Sequence, residues 1–116
     1  MTYRLTPAAD RDSTDILREA VRTFGPLQRA RYAELIERAI AMIVEAPERV
    51  GSRPRDELAP GVRSFPVELA ARRRGAASHV LFYLRGRLDK EGEGVIVVRV
   101  LHHRMEPAHR IGRGLS

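Results

Sequence analysis

The sequence predicts an α+β fold: an N-terminal strand, a helical hairpin and then a three-stranded antiparallel meander. Apolar residues recur at helical spacing over about residues 7–46 and then gather into short β-branched runs over about residues 62–101. A Gly-Pro pair at residues 25–26 interrupts the helical part, so the two helices should fold back on each other. This order is typical of helices packed on one face of a sheet.

A short extended piece at residues 3–5 precedes the first helix, which is predicted over about residues 7–24. Thr6 can cap this helix, and Pro7 suits its first position. Asp10 and Asp12 lie near the positive end of the helix dipole. The apolar stripe of this helix consists of Ile16, Leu17, Ala20, Val21 and Phe24.

The second helix should begin at Pro26 and end near residue 46, because Pro47 stops it. The stretch 51–60 is rich in Gly, Pro, Arg and Asp and therefore predicts a surface loop. The apolar side of the second helix consists of Tyr32, Leu35, Ile36, Ala39, Met42 and Ile43.

Three strands are predicted at residues 62–67, 78–84 and 95–101. Pro66 cannot donate a hydrogen bond to a neighbouring strand, so the first of these strands is expected at the sheet edge. The last is apolar on nearly every residue and is expected in the middle, flanked by the N-terminal strand. The helices should cover one sheet face, and we expect the chain to leave the other face uncovered, for a partner, a substrate or polar side chains.

Length and composition indicate a single domain over residues 1–116, without disulfides or thiolate sites because the chain has no cysteine. The N-terminus lacks the apolar core of a signal peptide, and no apolar run is long enough to span a membrane. These features predict a cytoplasmic protein that does not associate with membranes.

The net charge of +6 is unevenly distributed, since residues 51–116 hold 13 of the 21 basic side chains and 7 of the 15 acidic ones. Such a field favours encounters with nucleic acid or with an acidic protein segment. The run Arg72, Arg73, Arg74 lies in the predicted hairpin between the first two meander strands. It is either a solvated loop or a contact with one of these partners.

The histidines do not show the spacing of a metal site, so no metal or other cofactor is expected. His102 and His103 are neighbours at the end of a strand and should point to opposite faces. Metal-free phosphodiester cleavage would need an acid, a base and cations. Arg63, His79, His102, His103 and Arg104 contain those groups, but they can equally be polar residues on an open sheet face.

Five segments, in order along the chain, carry a resemblance to a known family: residues 6–16, 53–58, 60–67, 78–83 and 99–105. Together they resemble ParE, the toxin of bacterial type II toxin-antitoxin modules within the RelE/ParE superfamily. The resemblance implies the fold derived above and a toxin that acts on DNA gyrase. It also implies a ParD-like antitoxin that holds the toxin inactive and through which the complex binds operator DNA.

RelE-like toxins of the same superfamily cleave messenger RNA on the ribosome, and this resemblance implies a second possible function. Carried over by position, their basic residues would fall at Arg63, Phe65, His79 and Arg104, and their tyrosine at Arg110. Phe65 and Arg110 lack the expected groups, which argues against a nuclease. The third possibility is an inactive toxin-like corepressor subunit.

The resemblance leaves the contact residues open, and the segment 68–77 is longer and richer in arginine than the corresponding turn of ParE-like chains. If the chain is a nuclease, the catalytic candidates are Arg63, His79, His102 and Arg104. Candidates for contact with the antitoxin or the target are Arg63, Arg72, Arg73, Arg74, Tyr83, His103, Arg104 and Met105.

Overall fold

The computed structural model describes residues 2–71, 73–105, 107 and 111. The helices are α1 (Pro7–Phe24) and α2 (Pro26–Glu45), and the strands are β1 (Thr2–Leu5), β2 (Arg53–Pro54), β3 (Arg63–Pro66), β4 (His79–Arg87) and β5 (Glu93–His102). Short 3₁₀ turns lie at Val67–Ala70 and Asp89–Glu91. Among these residues the strands form a five-stranded sheet in the order β1-β5-β4-β3-β2, in which only the β1–β5 pair is parallel. The predicted α+β architecture is confirmed.

Thr6 joins the start of α1 to β5, an interior strand of the sheet. Its Oγ1 accepts the main-chain N–H of Ala9 at 3.1 Å and donates to the carbonyl of Val98 at 2.8 Å. Its own N–H donates to the carbonyl of Val97 at 3.0 Å. The predicted cap is therefore present, and the same hydroxyl also fixes the helix relative to β5.

The helical hairpin turns at Gly25, whose φ of 92° lies in the left-handed region that favours glycine. Burial is concentrated away from this turn, because the fully buried positions are Ala9 in α1 and residues 36, 39, 40 and 43 in α2. Val21 and Phe24 are exposed, so their assignment to the core stripe was wrong. In the described part of the chain, neither helix has the length and apolarity needed to cross a bilayer.

A bulge in β5 is bound by a carboxylate from α1. The β4–β5 register shifts by one residue, which makes Val98 the extra residue. Asp12 accepts from Nε and Nη2 of Arg99 at 2.7 and 2.8 Å and from the main-chain N–H of Val100 at 2.9 Å. Because both ionised side chains are largely buried, this pair is a fixed link between the helical layer and the sheet.

The sheet extends one strand further than the sequence predicts. β2 lies within the stretch predicted as a loop and pairs with β3 through Arg53 opposite Ser64 and Pro54 opposite Arg63. β3 is therefore not the edge strand, which corrects the inference from Pro66. Because β2 pairs with only the first two residues of β3, it does not reach Pro66, and the missing N–H disrupts no β2–β3 hydrogen bond.

The second sheet face is partly covered by the chain itself, which corrects the expectation that it would be open. Phe82, Val98 and Leu101 on this face are buried together with Val62 and Ile111. The stretch 55–62 folds back over the face, because the N–H of residue 55 donates to the carbonyl of residue 62 at 2.7 Å. Leu58 and Ala59 of this stretch pack against the cluster.

Candidate functional site

Three histidines and one tyrosine meet where β4 begins and β5 ends. His79 lies opposite His102 in the ladder, with ring centroids 5.5 Å apart. The Tyr32 hydroxyl of α2 lies 2.6 Å from Nδ1 of His79. His102 and His103 stack with centroids 4.5 Å apart, so the prediction that they point to opposite faces was wrong. His103 lies beyond the last residue of β5, where the alternation of a strand no longer applies.

His79 is neutral at physiological pH in this environment. Burial, reinforced by the charges that His102 and His103 would carry, lowers the pKa of His79 to about 4, against a smaller opposing effect of Asp12. Burial also raises the pKa of Tyr32 above its usual range. The Tyr32 hydroxyl and Nδ1 of His79 share a hydrogen bond whose donor is set by the tautomer of the neutral imidazole.

The four nuclease candidates do not converge on one site. Arg63 donates from Nε to Ser52 Oγ at 2.8 Å, and its Nη1 lies 3.8 Å from Glu48. It pairs with Tyr83, four residues along β4 from His79, or about 13 Å of strand. His79 and His102 are brought together, and Arg104, exposed in the turn after β5, is next to them, since its main-chain N–H donates to Nδ1 of His102 at 3.1 Å. Only Arg63 lies apart from this group.

One of the candidates for contact with the antitoxin or the target, Tyr83, is not at the surface, and the exposed candidates fall into two groups. Tyr83 is fully buried, and its hydroxyl donates to the carbonyl of Pro47 at 2.6 Å, which removes it from the set of contact residues. Arg73 and Arg74 are exposed beside the helical hairpin. Exposed residues also follow β5, namely His103, Arg104 and Met105. Arg72, His109 and Arg110 lie outside the described residues.

Two grooves flank the histidines, one on each side of the sheet. The hairpin groove, of about 480 Å³, lies between the helices and the start of β4. The sheet groove, of about 520 Å³, lies on the second face. His102 lines both grooves. The hairpin groove is lined by residues that include Ile16, Ala20, Phe24, Tyr32, Ala77 and His79, and the sheet groove by residues that include Arg53, Arg55, Leu69, Phe82, His103 and Met105.

The sequence reasoning missed the apolar surface at the hairpin turn. Phe24 is 71% exposed and Leu27 is 66% exposed, on either side of Gly25. Their position next to a Gly-Pro turn was the available signal, since residues at a tight helical turn lie farthest from the sheet. Among the described residues, no group of three or more histidine, aspartate or glutamate side chains is arranged to hold a metal ion.

Comparison with known proteins gives a family match that covers nearly the whole chain. A family model described as the ParE toxin of the type II toxin-antitoxin system parDE matches residues 3–107. The chain is also 32% identical over 110 residues to Toxin ParE1 of Caulobacter vibrioides, which covers 95% of this chain and 97% of the relative. The matched region contains the hairpin and every strand of the sheet except the first residue of β1. The chain therefore belongs to the ParE toxin family of type II toxin-antitoxin systems.

Proposed function

We propose that this chain is a toxin that inhibits DNA gyrase in the cytoplasm and that a ParD-like antitoxin neutralises it. The observation that carries the proposal is the match to the ParE family over residues 3–107. The proposed action is binding to gyrase and not catalysis. The complex with the antitoxin would bind operator DNA through the antitoxin, with this chain as corepressor.

The arrangement of the side chains supports a non-enzymatic toxin over a nuclease. Arg63 is bound to Ser52, away from the histidines, and Phe65, at a position where a RelE-like toxin would carry a cation, is fully buried. His79, with a pKa of about 4, is poorly matched to acid-base catalysis near neutral pH. The distance of Arg63 from the histidines, the missing cation at position 65 and the low pKa of His79 argue against phosphodiester cleavage, although Arg104 lies beside His102.

The surface supports an antitoxin partner with acidic and apolar residues. The hairpin groove is largely apolar, and Phe24 and Leu27 are exposed at the turn beside it. The basic excess of the chain supplies the complementary charge. A peptide segment that covered this surface would bury apolar area and compensate cations in the same interaction.

Supercoiling by purified gyrase is the direct test of the proposed target. The protein should inhibit supercoiling or trap gyrase on cleaved DNA, and expression of the chain alone should arrest growth with filamentation. Arg104→Glu should weaken inhibition if the turn after β5 contacts gyrase. Arg11→Glu is the matched control, because Arg11 is also exposed but lies on α1, outside both grooves.

Two outcomes would redirect the proposal. If gyrase is unaffected at stoichiometric excess, gyrase inhibition is lost. If translated messenger RNA is then cut at particular codons, and His102→Ala abolishes these cuts, the RelE-like activity would be established. Absence of toxicity together with tight antitoxin binding would instead indicate a corepressor subunit.

A further inference from the structure

The arginine-rich segment between β3 and β4 packs against α2. We call its described residues, 67–71 and 73–78, the wall. Val67 and Ala70 of its 3₁₀ turn are buried, and Arg38 of α2 donates from Nη1 to the carbonyl of Ala70 at 3.3 Å. Glu68 accepts the main-chain N–H of Gly75 at 3.1 Å, which closes the segment on itself. These contacts hold the segment that carries Arg73 beside the helix.

A depression of about 310 Å³ separates this wall from α2, and it is lined by cations without carboxylates. Arg31 and Arg38 line it from α2, and Arg73 lines it from the wall. None of these three pairs with a carboxylate of the described side chains. Three uncompensated guanidinium groups around one concavity attract an anion, and their planar geometry suits carboxylates. We call this depression the arginine pocket.

The arginine pocket is continuous with the hairpin groove. Tyr32, Arg73 and Ala76 line both, so an occupant of one can extend into the other. A bare polyphosphate would satisfy the cations but leave the apolar lining of the groove exposed. A protein segment with both acidic and apolar side chains would satisfy both parts, and the charge complementarity therefore favours such a segment over nucleic acid.

We propose that the arginine pocket binds acidic side chains of a partner protein segment whose apolar residues lie in the hairpin groove. The inference rests on the proposed function, because the segment would belong to the antitoxin. It adds a location, on the α2 side of the wall formed by residues 67–71 and 73–78, and a chemistry, carboxylates bound by Arg31, Arg38 and Arg73. This wall occupies the position at which the sequence departs from a short ParE-like turn.

Peptide binding to the full chain tests the proposal without knowledge of the natural partner. The probe is a fluorescein-labelled helical peptide of about 18 residues, or roughly five turns, with leucine along one side and glutamate elsewhere. Its control has lysine at every glutamate position. The acidic peptide should bind and the basic one should not. The double variant Arg31→Glu/Arg73→Glu should weaken acidic-peptide binding about tenfold or more, since it replaces attraction with repulsion at two positions.

Arg11→Glu is the matched control here as well, because it makes the same charge change outside the pocket and should change the affinity less than about twofold. Circular dichroism and thermal unfolding check that the double variant is folded. If it is not, Arg31→Gln/Arg73→Gln removes the two charges without introducing repulsion, and it should still weaken acidic-peptide binding several-fold.

Three results would overturn the inference: no binding of the acidic peptide to the wild type, equal binding to the folded double or neutral variant, or preferential binding of a single-stranded oligonucleotide that depends on Arg31 and Arg73. The supercoiling assay separates this inference from the proposed target. A wild type that binds the acidic peptide through these arginines but leaves gyrase unaffected would keep the docking site and remove gyrase as the target.

Discussion

At the scale of single residues, His79 links the folded state to pH. The pKa of its imidazole in the folded protein is about 4, whereas the unfolded chain binds a proton with a pKa near 6.5. Between these values the unfolded state binds more protons than the folded state does. The contribution of His79 to the free energy of unfolding is therefore fully present above about pH 6.5 and is lost as the pH falls toward 4. Burial in the folded protein is the main cause, followed by repulsion from the neighbouring histidines.

We therefore expect protonation linked to His79 to lower the free energy of unfolding by about 2 kcal/mol between pH 7.5 and pH 4. This loss is smaller than the full pKa shift of His79 implies, because the ring is partly exposed and solvent screens its interactions. Urea unfolding across this range measures the effect. His79→Gln should flatten this part of the pH dependence, whereas His103→Gln, at an exposed position, should retain most of it, because burial lowers the His79 pKa more than the charge of His103 does. A His79→Gln profile that matches the wild type would contradict this assignment.

Residue-level prediction from sequence succeeded for side chains within regular elements and failed at their ends. His79 was predicted on a strand and His102 at the end of one, and both lie on strands in the structure, but their cross-strand pairing depends on a register that the sequence does not specify. His103 lies beyond β5, so the rule of alternating faces gave the wrong orientation. Tyr32 was assigned to the apolar side of α2, with no signal that its hydroxyl would bond His79.

At the scale of elements, Asp12 joins α1 to the bulge in β5. Asp12→Ala should lower the free energy of unfolding by about 3 kcal/mol, since it leaves the largely buried Arg99 guanidinium without this charge partner and removes the acceptor of the Val100 N–H. Asp12→Asn should lose less, because its side-chain oxygen can still accept. Urea unfolding at neutral pH provides the measurement.

Asp15→Ala is the control for that prediction. Asp15 pairs with Arg18 on the same helix, but both side chains are mostly exposed, and the loss should be under about 0.5 kcal/mol. Similar losses in Asp12→Ala and Asp15→Ala would show that the helix-to-sheet link does not contribute as proposed.

The contact between β1 and β5 depends on a glycine. Gly94 lies opposite Thr2, and a Cβ at position 94 would lie 2.6 Å from the Thr2 carbonyl oxygen and would also clash with Leu88 Cδ1. Gly94→Ala should therefore destabilise the protein by about 2–3 kcal/mol, as β1 is displaced. Gly25→Ala meets no atom within 4 Å and should cost only about 1 kcal/mol, through its positive φ. Equal losses in thermal unfolding would show that β1 can shift without penalty.

Long periodic elements were predictable, and short irregular ones were not. Both helices follow from patterns that span many residues, and so does the interior position of β5 beside β1, which the structure confirms. The middle strand of the five is nevertheless β4, because β2 adds a strand on the far side. β2 has two residues in a stretch rich in glycine, proline and charge, where local propensity opposes a strand. Coverage of the second sheet face depends on a few apolar residues at irregular spacing, including Leu58 and Ile111. Tertiary contacts of these residues, and not a sequence pattern, determine how the second sheet face is covered.

At the scale of the whole molecule, the net charge of +6 should set the rate at which the protein meets an acidic partner. We expect association with the acidic peptide to slow about tenfold between roughly 0.05 and 0.5 M salt, with a smaller change in the dissociation rate. Stopped-flow fluorescence separates the two rates. An association rate that does not vary with salt would mean that the distributed charge has no steering role.

The parallel pairing of β1 with β5 has a consequence for biosynthesis. The first strand to leave the ribosome is hydrogen-bonded to the last strand, and Thr6 and Asp12 also find their partners in β5. Such distant partners cannot meet until translation has passed residue 102, so a shorter nascent chain lacks the strand to which β1 and α1 bind. Translation that stops before β5 should therefore yield a fragment in which β1 and α1 have no partner strand, and the native fold should form only once β5 has been made.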